Sequence, residues 1–125
     1  MEDEAPDPLE AVMLARRAEY LCEAPERVRE LSAALGRLRT GDASALDDLQ
    51  RYFHRLAGSG GSYGFPEITE QSRTAEHAVG RLAGEARTLQ REDFDIIEKH
   101  VLGVAEVFQS AQREFAAGTP PTRST

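Results

Sequence analysis

The chain contains a single cysteine, a single lysine and no tryptophan in 125 residues. Cys22 alone leaves no disulfide framework and no cysteine-based zinc site. Aromatic residues are few, 5 Phe and 3 Tyr, while 40% of the chain is apolar and much of that is Leu and Ala. That balance favours helices over a β-sandwich. No apolar run approaches the ~18 residues a membrane span needs. The amino terminus, Met1 to Pro8, is acidic and proline-bearing, the opposite of a secretory signal. A cytoplasmic protein with no membrane partner is expected. The net charge of −7 argues against a nucleic-acid partner, because binding its phosphates needs a basic patch, and none is expected. The excess of arginine over lysine reads as a base-composition habit and carries no functional weight.

Several chemistries are missing as well. There is no Gly-x-x-x-x-Gly-Lys-Ser/Thr phosphate loop and no Gly-x-Gly-x-x-Gly after a strand. No histidine lies three residues after a glutamate, against a di-iron carboxylate bundle, and no two histidines lie four apart, against a His-Glu-x-x-His zinc site. No metal and no cofactor is therefore expected. With nowhere to hold ATP and Mg²⁺, the chain is not expected to phosphorylate itself.

What remains is a helical pattern of one-domain length. Pro8 opens a first helix bearing Leu9, Val12, Met13, Tyr20 and Leu21 and ending near Ala24. Pro25 opens the second, with Val28, Leu31, Leu35 and Leu38 as its stripe and Thr40-Gly41-Asp42 as its stop. The third starts near Ser44 and carries Leu46, Leu49, Phe53 and Leu56. After a turn over residues 62–66, Pro66 begins a fourth, with Ile68, Ser72, Ala75, Val79, Leu82, Ala86 and Leu89 in its seam. The fifth begins near Asp93 and repeats Phe94, Ile97, Val101, Val104, Phe108, Ala111 and Phe115. The expected fold is all-α: an antiparallel up-and-down four-helix bundle with an additional N-terminal helix. Residues 1–7 are expected to be a flexible N-terminus, 8–117 the bundle, and 118–125 a tail or linker.

Within this pattern one stretch stands apart. His54 follows Phe53 by about 100° of helical rotation and so flanks the apolar stripe. Ala57, Gly58 and Gly61 share its face, and each helical glycine costs ~1 kcal/mol relative to alanine. Such a run suits a histidine that another macromolecule must approach. If the third and fourth helices run antiparallel around Phe65, residues whose numbers sum to about 130 lie opposite each other. Glu76 then faces His54, and Arg73 faces Ala57. A carboxylate accepting from Nδ1–H would fix the tautomer and leave Nε2 as an outward lone pair. An imidazole in water, with a pKa of ~6.5, is mostly neutral at pH 7 and a good nucleophile.

The segment His54-Arg55-Leu56-Ala57-Gly58, with Gly64 ten residues after the histidine, resembles the signature of histidine-containing phosphotransfer (HPt) domains. It is similar to the phosphotransfer domain of chemotaxis kinases and to the HPt modules of hybrid sensor kinases. The helix layout extends the resemblance over residues 8–117. The resemblance implies a helical bundle that relays a phosphoryl group between histidine kinases and response-regulator receiver domains, with His54 as acceptor. It also implies that Glu76, at the chemotaxis spacing of 22 residues, orients the ring. The family's usual lysine, three residues after the histidine, is here Ala57; Arg73 and Arg55 are the candidates for phosphoryl stabilisation in its place. Receiver docking is expected around Arg51, Ala57, Gly58, Ser59, Gly61 and Ser62. His77 and His100 have no comparable surroundings and are expected to be surface residues. The expected product is a monomeric phosphohistidine carrier without kinase activity. The alternative is a degenerate HPt-like adaptor that docks signalling proteins without phosphotransfer.

Overall fold

Short polar side chains and prolines set where the helices begin. Asp7 caps the first: its Oδ1 accepts from the Leu9 backbone N–H at 3.2 Å, and Pro8 fills the first turn. The structure is a computed structural model that describes residues 7–118. It comprises α1 (Pro8–Cys22), α2 (Ala24–Arg39), α3 (Ser44–Gly60), a 3₁₀ turn (Gly61–Tyr63), α4 (Pro66–Gly84) and α5 (Arg91–Ala116). No strand occurs among the described residues. Apart from Asp7 and Gly118, the N-terminal and C-terminal segments expected to be flexible lie outside the described residues.

The bundle is built by α2 to α5, each turning one apolar stripe inward. Leu31, Leu49, Phe53, Ile68, Val79, Ile97, Val104 and Phe108 are fully buried where those stripes meet. Each contributes about 1.5–3 kcal/mol of transfer free energy, offset by the entropy of ordering the chain. Gly64, at φ +92°, turns the chain out of α3 in a left-handed conformation that a side chain would strain. Phe65 N–H then donates back to the Gly60 C=O at 2.8 Å, closing the α3 end and delivering Pro66 to the first turn of α4.

Two expected stripes are shorter than their sequence pattern. In α4 the seam stops at Leu82: the helix ends at Gly84, Ala86 is exposed, and Leu89 reaches the core half-buried from the connecting loop. The cause is a local polar network that outcompetes the continued helix. Asp93 accepts from the Gln90 backbone N–H at 2.6 Å in a capping box, which starts α5 at Arg91, slightly ahead of the expected Asp93. Arg87 folds between Glu85 and Asp93, bonding the latter at 2.8 and 3.1 Å. In α1, Leu21 is buried while Leu9 and Val12 are exposed, because only the C-terminal half of the helix docks. There Tyr20 stacks on Tyr63 with centroids 4.6 Å apart, and Arg17 Nε donates to the Tyr63 C=O at 3.1 Å.

The Asp93 network is expected to make part of the stability acid-sensitive. Arg87 first, then the Gln90 N–H, holds the Asp93 carboxyl below its ordinary value. A depressed folded pKa means that its stabilisation is fully present above the unfolded value of ~3.9 and is lost as pH falls through the folded value. Asp93→Asn is therefore expected to lower the melting temperature at neutral pH and to flatten its decline below pH 4; an unchanged acid limb would remove Asp93 from this account. A second test concerns Ser72, which is fully buried in the α4 seam with no hydrogen-bond partner for its hydroxyl among the described residues. Ser72→Ala removes an unsatisfied buried group and is expected to raise stability by about 1 kcal/mol in urea denaturation. A lower midpoint would show that the hydroxyl is satisfied after all.

Candidate functional site

The site lies on the shared flank of α3 and α4. Phe53 anchors α3 in the core, and the next residue, His54, is 73% exposed. On α4, Ala75 is buried in the seam and Glu76 follows it at the edge of the same face, its side chain 21% exposed. The two side chains meet at 2.7 Å between His54 Nδ1 and Glu76 Oε2. An ionised carboxylate only accepts, so Nδ1 carries the proton and the remaining lone pair sits on Nε2. Nε2 makes no hydrogen bond among the described residues. The arrangement is a nucleophilic nitrogen on an open helix surface, held in one tautomer by a neighbouring charge.

The glycines around it divide into two kinds. Gly58 is exposed, and a methyl group added there would meet nothing within 4 Å, so this part of the surface beside the histidine is open. Gly60 is buried: a Cβ would lie 2.9 Å from Ile68 side-chain atoms and from the Thr69 backbone nitrogen. Its bareness therefore serves the approach of α4 rather than clearance for a partner.

The remaining expected docking residues are dispersed. Gly61 and Ser62 are exposed near the α3 end, with the Ser62 hydroxyl donating to the Gly58 C=O at 3.3 Å. Two expectations need correction. Ala57 is buried (7% exposed) against α4 and offers almost no surface. Ser59 points toward α1, where its hydroxyl bonds the Tyr20 hydroxyl at 2.8 Å, because it lies about 140° around α3 from His54.

The arginines are also spread out. Arg73 is exposed on α4, about one turn before Glu76, and makes no ion pair among the described residues. Arg55 lies over the Tyr52 ring at 5.8 Å and lines a groove of about 530 Å³ with Tyr20, Arg27, Tyr52 and Tyr63. Arg51 bonds Asp48 at 2.6 Å, so part of its charge is already matched. His77 is exposed, whereas His100 is half-buried on α5; burial first, then Lys99 and Arg81, pushes its pKa down. Thr69 was not among the candidates. The antiparallel register that pairs His54 with Glu76 also sets Thr69 opposite Gly61, and that arithmetic was the available signal.

By its fold this is an all-helical bundle whose exposed His54–Glu76 pair lies on a helix surface rather than in an enclosed pocket. Residues 17–113 match the family model of the Hpt domain, and the chain belongs to that family. Membership brings a phosphotransfer role in two-component signalling, in which such domains meet kinases and receiver domains. The match begins at Arg17, on the half of α1 that docks against the bundle. No curated protein and no solved structure matches the chain. Among the described residues, no helix is long and apolar enough to cross a membrane.

Proposed function

We propose that this protein is a phosphorelay intermediate in which His54 Nε2 accepts a phosphoryl group and passes it to or from a receiver aspartate. The observation that carries the reading is the exposed imidazole tied through Nδ1 to Glu76. In the forward step, the Nε2 lone pair attacks phosphorus and forms the P–N bond. The bond from phosphorus to the donor breaks, and the departing aspartate carboxylate or kinase imidazole keeps the electron pair. The ring then bears phosphorus on Nε2 and hydrogen on Nδ1 and is cationic, a charge that Glu76 stabilises. Transfer onward reverses these bonds.

In this reading the bundle supplies position and a docking face, and the protein acts as carrier and substrate. With Ala57 where the family usually has lysine, Arg73 and Arg55 are the cations of this chain assigned to the phosphoryl oxygens. Arg51, Gly58, Gly61 and Ser62 belong to the surface offered to the receiver. The arginines on an otherwise acidic protein favour approach by an acidic receiver pocket.

The test is incubation with a panel of receiver domains charged by labelled acetyl phosphate. The proposal expects acid-labile, alkali-stable label to appear on this chain as the receiver loses it. A receiver that co-elutes with the chain but transfers no label would replace the proposal with the adaptor reading.

A further inference from the structure

The two helices that carry the histidine and its glutamate are also joined one turn beyond His54 on α3 and two turns before Glu76 on α4. The Thr69 hydroxyl on α4 donates to the Ala57 C=O of α3 at 2.7 Å and accepts from the Gly61 N–H, also at 2.7 Å. Those two backbone groups stand four residues apart, the spacing that bonds directly in an uninterrupted α-helix. A side chain from the neighbouring helix thus bridges the last turn of α3, using the one donor and one of the two lone pairs a hydroxyl has. Gly60 makes the insertion possible, since a Cβ there would strike Ile68 and the Thr69 nitrogen at 2.9 Å.

This bridge shares its register with the site. On α4, Thr69 precedes Glu76 by two turns on the same face; on α3, Ala57 follows His54 by one. On the other side of the His54–Glu76 pair, the Gln50 amide packs on Gly80, where a Cβ would come within 2.8 Å of its nitrogen. Gln50 is one turn before His54, and Gly80 one turn after Glu76. The pair is therefore bracketed by two close helix approaches. Of the two, only the Thr69 end is pinned by side-chain-to-backbone hydrogen bonds.

We infer that Thr69 is a positioning residue for His54: its hydroxyl holds α3 and α4 at the register in which Glu76 reaches Nδ1. The hydrogen bond from His54 is itself exposed to water and cannot hold two helices in place. The inference rests on the relay reading only for its effect on rate; the effect on the ring stands without it.

Thr69→Val keeps the shape of the side chain and removes both bonds, whereas Thr69→Ser keeps the hydroxyl. The experiment compares full-length wild type and both variants by ¹⁵N imidazole NMR and by transfer from a labelled receiver. Wild type and the serine variant are expected to show His54 protonated at Nδ1. The valine variant is expected to shift toward the Nε2–H form and to accept phosphoryl roughly tenfold more slowly. If the valine variant does not melt cooperatively, Thr69→Ala takes its place. An unchanged His54 tautomer in the folded hydroxyl-free variant overturns the inference. So does a serine variant that behaves like valine. Absence of label on wild type would instead overturn the relay reading, with the ring signals still deciding the role of Thr69.

Discussion

Glutamine in place of His54 is expected to reduce acid-labile phosphoryl uptake from any charged receiver to background while leaving the bundle intact. The ring is 73% exposed and its one internal bond is to Glu76, so its removal takes nothing from the core. Surface substitutions of this kind usually fall within about 0.5 kcal/mol of neutral, and the melting temperature should stay close to that of wild type. Glutamine offers an amide of similar reach but no nitrogen lone pair able to attack phosphorus. The two readouts must therefore separate: full loss of label with an unchanged melt. Label persisting on the variant would move the acceptor elsewhere, with His77 and His100 the nitrogens to examine next.

Glu76→Gln carries the second large effect. The substitution keeps size and hydrogen-bonding capacity but removes the charge, and the glutamine amide can donate to Nδ1 as readily as accept from it. A donated bond would favour the Nε2–H tautomer, which has no lone pair at the attacking nitrogen. The cationic phosphorylated ring also loses its stabilising neighbour. Together these predict a fall in transfer rate of roughly 10- to 100-fold, the range found when the carboxylate behind a metal-bound imidazole is removed. Rapid-quench transfer from a labelled receiver measures it. A rate equal to wild type would reduce the 2.7 Å contact to a surface hydrogen bond with no part in the chemistry.

Much of this was legible in the sequence because it depends on local chemistry. Prolines at 8, 25 and 66 lie in the first turns of α1, α2 and α4, and the three-and-four repeat of α5 maps onto its buried face through Ala111. One antiparallel register, counted from a turn at Phe65, relates His54 to Glu76 and also Gln50 to Gly80. Other features were hidden because they depend on competition between distant groups. The seam of α4 looked continuous through Leu89, yet Arg87 and the Asp93 capping box claim the backbone there and end the helix at Gly84. The stripe of α1 looked complete, yet Leu9 and Val12 are exposed among the described residues, since amphipathic spacing shows which face is apolar and not what covers it. Ala57 and Ser59 follow the histidine closely in sequence but turn toward α4 and α1, respectively. The close approach of Ile68 and Thr69 to Gly60 was equally hidden, since it depends on how α4 packs against α3.

The most direct test locates the phosphoryl group. Wild-type protein is charged from a receiver, digested under alkaline conditions that preserve P–N bonds, and sequenced by mass spectrometry. The phosphate is predicted on the peptide containing His54, bound to that residue alone. A phosphate on His77 or His100, or no histidine phosphate after a receiver has demonstrably been discharged by this protein, would contradict the assignment of the exposed α3 imidazole as the acceptor.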